Sequence, residues 1–333
     1  MTWLAWRQFR TQALVAVVTL TAVALGYGVT GIKLHQLAAA SGYPGCVTAS
    51  HCHRFITAVQ ASSLYPILFF AAMVLIYLTP ALIGIFWGAP LVARELESGS
   101  FRMLWTQSIS RTRWLTVKMV LVGAAAMITA GLLSLIVTWW AAPIDAVGIN
   151  PGAYRFSPVR FGATGIVPIG YAAFAFTLGV TVGLLLRRTL PAMAVTFVVF
   201  LAVQIAMPIA IRPHLRPPVI HSVAITGPAM NIEISGPAQM LVMASDPPIG
   251  AWTIANVDRD PAGETVEQRA PDACLQNSSD ACTTLILAQH LTQVLTYQPA
   301  NRYWSFQGYE TGIFLVASLG LGALSSWRLK RIC

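Results

Sequence analysis

Six stretches of this chain, residues 13–32, 64–92, 119–142, 162–186, 190–211 and 311–327, run without a single Asp, Glu, Lys, Arg or His. A helix that crosses the hydrocarbon of a bilayer needs about 20 apolar residues, with about 17 at the low end. Inside lipid no water is present to satisfy backbone N–H and C=O groups, so a spanning segment of this kind must be helical. Composition agrees: 56% of residues are hydrophobic, only 10% are charged, and mean hydropathy is +0.65, against roughly a quarter charged in soluble proteins. The expected fold is an all-α polytopic membrane protein with six transmembrane helices.

The first run competes with a signal peptide, since Ala38-Ala39-Ala40 imitates a cleavage site, but it exceeds the usual apolar region of about 7 to 15 residues and is read as a span. Residues 1–12 read as a separate interfacial helix, with Trp3 and Trp6 at headgroup depth and Arg7 and Arg10 in water. The second run contains Pro66, Pro80 and Pro90, which predicts kinks or an early exit.

An even number of spans puts both termini on one side, and the cations choose which. The side of the N-terminus carries 12 cations (Arg7, Arg10, five between Arg94 and Lys118, Arg187, Arg188, Arg328, Lys330, Arg331) against Glu95 and Glu97, a net +10. The other side carries 9 cations and 10 anions. Cation-rich short loops stay in the cytoplasm, so the termini, including a tail at 328–333, are expected inside a plasma membrane. The basic excess of the chain, +9, is thereby topological, and a nucleic-acid partner is not expected.

Outside lie 33–63, 143–161 and a long stretch, 212–310, expected to be a small mixed α/β subdomain. Val223-Ala224-Ile225-Thr226 and Asn231-Ile232-Glu233-Ile234 alternate as short strands do. Leu285, Leu287, Leu291, Val294 and Leu295 predict a helix around 283–297. Cys46 and Cys52 fall in the first external loop, Cys274 and Cys282 in the last, and Cys333 in the tail. This pattern fits two local disulfides in oxidising space and a free thiol inside. Cys46, His51, Cys52 and His53 also have the donors of a small metal site, but an oxidising compartment removes the thiolates, and no metal is assigned.

The spans hold no ionisable residue, which argues against an ion-coupled carrier that drives itself. There is no Gly-rich phosphate loop, nucleophile elbow or zinc-protease helix, so no catalytic residue and no cofactor is assigned and the chain is not read as an enzyme. Gly84 with Gly88, and Gly179 with Gly183, are helix-packing candidates, either within one subunit or at a dimer interface. Gln204 and Thr19, Thr21, Thr138, Thr177 and Thr181 either line a weakly polar path or bond to their own backbone. Asn277-Ser278-Ser279 matches a glycosylation sequon.

One charged interval has an ordered pattern of its own. Residues 93–118 hold Arg94, Arg102, Arg111, Arg113 and Lys118 with Glu95 and Glu97, interleaved with Phe101, Leu104, Trp105, Ile109, Trp114 and Leu115. Such a segment lies on anionic lipid or seats itself in a partner's groove.

Here the chain resembles the permease subunits of ABC-2 type ATP-binding cassette transporters, in particular an actinobacterial-type branch. The resemblance covers nearly the whole topology, and its residues are Glu97, Gly99, Ser100, Leu104, Ser110, Arg111 and Lys118. The family often has a Pro two residues before the Ser-Arg pair, where this chain has Ser108. Residues 297–304, Tyr-Gln-Pro-Ala-Asn-Arg-Tyr-Trp, leading into Glu310-Thr311-Gly312, are similar to the branch's entry to its last span. The resemblance implies that 93–118 is a cytoplasmic coupling helix, with Glu95, Glu97, Gly99, Ser100, Arg102, Leu104, Ser110, Arg111 and Lys118 docking a separate ATPase subunit that binds ATP and Mg. It also implies a second permease subunit, in a homodimer or heterodimer, and efflux of a hydrophobic or amphipathic small molecule. The competing reading is a membrane sensor or anchoring protein whose external subdomain binds a ligand or partner.

Overall fold

The computed structural model describes residues 2–41, 53–99, 111–147, 155–225, 231–235, 240–244, 250–266, 274 and 279–331. Each of the six apolar runs contributes one of six helical stretches that are long and apolar enough to cross a membrane. Most of the helices continue past the runs that nucleate them; span 4 does not, because residues 162–166 form a turn and its helix begins at Val167. α1 spans Thr2–Ala40 without a break, so the helix expected over 1–12 is not separate but runs on into span 1, whose membrane-length part begins at Phe9. Nothing between Arg10 and Ala13 is a Gly or Pro that would stop it. After α2 (His53–Ala61), span 2 consists of α3 (Leu64–Leu82), a π-helical segment Ile83–Gly88 and α4 (Ala89–Glu97).

Span 2 thus does not exit early: its helical stretch runs on from Leu64 to Glu97. A wide turn lies between Pro80 and Pro90, where the Ala89 N–H bonds to Gly84 rather than one residue nearer. Such π-helical turns are rare and usually occur as single turns inside an α-helix. α5 (Arg111–Val147) is span 3, α6 (Val167–Leu186) is span 4, and α7 (Thr189–Ala206), extended by a π turn at Met207–Ile211 and a 3-10 turn at Arg212–His214, is span 5.

Span 4 is the centre. Of its most apolar window 78% is buried, against 6% for α1. Its residues are apolar all round, the signature of a helix surrounded by protein, and its small residues set how close the neighbours come. Gly179 and Gly183 meet Gly84, Gly88 and Ala89 of span 2 backbone to backbone. A Cβ added at Gly183 would lie 2.5 Å from the Ala89 carbonyl oxygen, and one at Gly179 would run into the carbonyl of Gly84. The four candidate glycines therefore face one another within one chain.

α1 is the most lipid-exposed span, with Leu14, Val15, Val17, Val18 and Leu25 all more than half exposed, and it is tied in by polar side chains. Pro90 has no N–H for the carbonyl of Phe86, and Pro143 none for that of Trp139. Gln12 Nε2 donates to Phe86 O at 3.0 Å, and His35 Nε2 donates to Trp139 O at 3.1 Å while its ring stacks on the Trp139 indole. Each proline of spans 2 and 3 at these points leaves an acceptor that span 1 supplies with a donor.

Residues Arg216–Tyr303 form a second compact unit. Its sheet has β1 (Val219–Ala224) and β4 (Trp252–Arg259) antiparallel on either side of β5 (Thr292–Gln298), while β2 (Asn231–Ser235) pairs with β3 (Met240–Ala244). The helix expected over 283–297 is corrected. α8 covers only Ser279–Leu287, and 292–298 is the central strand. Thr292, Val294, Thr296 and Tyr297 favour a strand, and Gln293, Leu295 and Gln298 are buried between two partner strands. Cys274 and Cys282 are disulfide-bonded beside Ile286 and Leu291. Cys46, His51 and Cys52 lie outside the described residues, as do Cys333 and the Asn277 sequon. α9 (Tyr303–Arg331) is span 6, longer at both ends than the expected 311–327.

Candidate functional site

The interval 93–118 has two stems. On one side α4 ends with Ser98 as cap and Gly99 at φ +71°, the left-handed conformation that glycine adopts without penalty. On the other, α5 starts at Arg111. Ser100, Arg102, Leu104 and Ser110 lie outside the described residues. The stems are fastened to each other and to span 5. Lys118 Nζ meets Glu95 Oε1 at 2.5 Å, with side chains 5% and 13% exposed, and Lys118 also sits 4.6 Å from the Trp114 ring centroid. Glu97 Oε2 accepts from both the backbone N–H (3.0 Å) and the hydroxyl (2.7 Å) of Thr189. Thr189 is the first residue of α7, where a helix has unpaired N–H groups and its dipole attracts negative charge. Three of the predicted docking residues, Glu95, Glu97 and Lys118, are thus engaged within the chain, holding the base of the segment.

The opposite end of span 4 is closed by buried polar groups. Arg212 donates to both carboxylate oxygens of Glu310 (Nε to Oε2, 2.8 Å; Nη2 to Oε1, 3.0 Å) and to the Pro158 carbonyl (Nη1, 2.6 Å), and it lies 4.4 Å from the Phe161 ring. Tyr171 donates its hydroxyl to Glu310. Gln307, fully buried, accepts with Oε1 from the N–H groups of Ile166 and Val167 and donates with Nε2 to the carbonyls of Phe161 and Thr164. One amide thereby caps span 4 and clamps the turn before it. Arg160, 2% exposed, pairs with Asp145 of span 3 and packs over Phe69 of span 2.

The expectation of spans free of charge is corrected here. Glu95, Lys118, Asp145, Arg212 and Glu310 all belong to the span helices, and Arg212 and Glu310 are buried completely. The apolar runs stop before the helices do, so charges that flank them enter the protein interior. A cation just after one run and an anion just before another were the signal in the sequence for the Arg212–Glu310 pair. Nothing local pointed to Gln307 or Tyr171.

Between the two ends the walls are apolar. Thr21, Thr177 and Thr181 bond the carbonyl four residues back, and Thr181 also meets Ser325 of span 6 at 2.9 Å. Thr138 instead accepts from the Gly165 N–H. Gln204 differs: its amide atoms are buried and have no hydrogen-bond partner among the described residues, on the wall of an apolar groove of about 790 Å³ between spans 2 and 5.

Six apolar helices with charge toward the helix ends define a multi-pass membrane protein. The chain belongs to the ABC-2 membrane transporter related family, whose sequence profile matches residues 14–212, more than half of the chain. Membership makes it a membrane component of the permease kind, distinct from the ATPase that such permeases work with. No curated protein and no solved structure matches it.

Proposed function

We propose that this chain is the membrane-spanning subunit of an ATP-driven exporter of hydrophobic or amphipathic small molecules, docked through residues 93–118 to a separate ATPase and paired with a second permease subunit. The observation that carries it is the fastening of both stems. A segment that transmits force must have a rigid base, and Glu95–Lys118 and Glu97–Thr189 tie that base to spans 2, 3 and 5 together. Push on the segment moves three spans as one body. In this reading the stems face the cytoplasm of a plasma membrane, both termini lie on the same side, and ATP and Mg are held by the partner. The apolar walls of the spans suit a greasy substrate.

The test is purification from native membranes in gentle detergent, with identification of companion chains and an ATP hydrolysis assay. A stoichiometric nucleotide-binding chain, lost when Arg102→Glu and Leu104→Glu are introduced together, is expected. A permease that purifies alone would overturn the reading and direct attention to the 216–303 unit as a receptor domain.

A further inference from the structure

Two cavities share a wall at the stem end of spans 1 to 3. One, of about 420 Å³, is bounded by Arg94, Glu95, Ser98 and Lys118 as well as Phe9 and Leu91. The other, of about 350 Å³, continues along the spans between Val15, Leu20, Leu75, Leu82 and Leu133. Gln12 and Trp87 line both, with the Gln12 amide held in place by the Phe86 carbonyl. Both volumes lie within the range of small-molecule sites, about 300 to 1,000 Å³. A charged chamber that adjoins a hydrocarbon-lined one matches a molecule with an ionic head and an apolar tail.

The charge of the head chamber names the head. Its wall has two cations, Arg94 and Lys118, and one anion, Glu95. Lys118 and Glu95 are bonded to each other, while Arg94 is exposed and forms no salt bridge among the described residues. One unit of positive charge is left to balance, at the level where the apolar part of span 2 gives way to water. Arginine suits a phosphate because its donors fit two oxygens at once.

We propose that the two adjoining cavities hold one anionic phospholipid, its phosphate on Arg94 and one acyl chain in the slot between spans 1, 2 and 3. Assignment of the head to the cytoplasmic leaflet rests on the topology proposed above; the binding itself does not. The lipid would cover part of α1 that no other span covers.

The full-length protein is reconstituted in phosphatidylcholine nanodiscs with a minor fraction of phosphatidylglycerol bearing a diazirine in its acyl chain, and the crosslinked peptides are mapped by mass spectrometry. Label concentrated on residues 15–23 and 75–83, competed by unlabelled phosphatidylglycerol and not by phosphatidylcholine, is expected. Arg94→Gln removes the charge-assisted bonds and should lower labelling about tenfold. Thr19→Trp, at a lipid-exposed position on the tail chamber, should block it while leaving the fold intact. Label spread evenly over spans 5 and 6, equal labelling by a phosphatidylcholine probe, or an unchanged signal in Arg94→Gln would overturn the proposal. The readout needs only the permease, so failure to find an ATPase partner would leave it standing.

Discussion

Arg212 and Glu310, 98 residues apart, form a two-pronged ion pair with side chains 1% and 0% exposed, joining the end of span 5 to span 6. A pair so deeply buried contributes little over an apolar pair of the same shape, yet loss of one member strands a charge. Arg212→Met alone should destabilise the protein by about 3 to 5 kcal/mol. Arg212→Met with Glu310→Met should recover most of that loss in thermal unfolding monitored by fluorescence-detected size exclusion. A double variant no more stable than the single would show that the Pro158 and Tyr171 contacts dominate.

Gln307 satisfies two N–H groups and two carbonyls that have no helical partner. Gln307→Ala should cost on the order of 3 kcal/mol, given about 1 to 3 for each buried group left unpaired. Hydrogen exchange gives the sharper reading: the Ile166 and Val167 amides should exchange faster, while the Thr189 amide, at the other end of span 4, should not change.

Gly179 and Gly320 separate close packing from mere flexibility. A Cβ at Gly179 meets the backbone of Gly84 and Ala89, which cannot swing aside, whereas one at Gly320 meets nothing within 4 Å. Gly179→Ala should destabilise by about 3 kcal/mol. Gly320→Ala, within the helix of span 6, should stabilise by about 0.5 to 1 kcal/mol. Equal effects would mean that spans 2 and 4 are not in backbone contact.

The bond from Gln12 to Phe86 exists because Pro90 has no N–H. Gln12→Leu should therefore cost about 1 kcal/mol in the parent chain and close to nothing in a Pro90→Ala background, where the helix supplies its own donor. A cost independent of residue 90 would contradict this compensation.

The Cys274–Cys282 bond joins residues eight positions apart. In the chain-entropy picture such a loop contributes about 2.5 kcal/mol. Reduction should lower the unfolding temperature of the 216–303 unit and leave the helical bundle unchanged, as read by protection of span 4 amides. Maleimide should modify Cys274 and Cys282 only after reduction.

Much of the fold was legible, because a run such as 119–142 contains everything needed to place it in a membrane and make it a helix. The strand at 231–235 was legible from alternation, but the one at 219–224 was caught only at its end, since the alternating residues 223–226 overlap it at Val223 and Ala224 alone. The segment 292–298 was not: its leucines have helical spacing, and only the two strands beside it decide for the sheet. The site was half legible. Residues 93–118 stood out by their charge pattern, but that Glu97 reaches Thr189 depends on how spans 2 and 5 are placed.

Span number and membrane residence follow from the sequence alone, since hydrocarbon excludes charge and demands a self-bonded backbone, and both conditions are met or failed residue by residue. Which flanking charges are drawn inside, which carbonyl receives Gln12 or His35, and which glycines touch were decided only by the tertiary structure. Those contacts join residues tens to more than a hundred positions apart, and such partners meet only once the helices have been set in register against span 4.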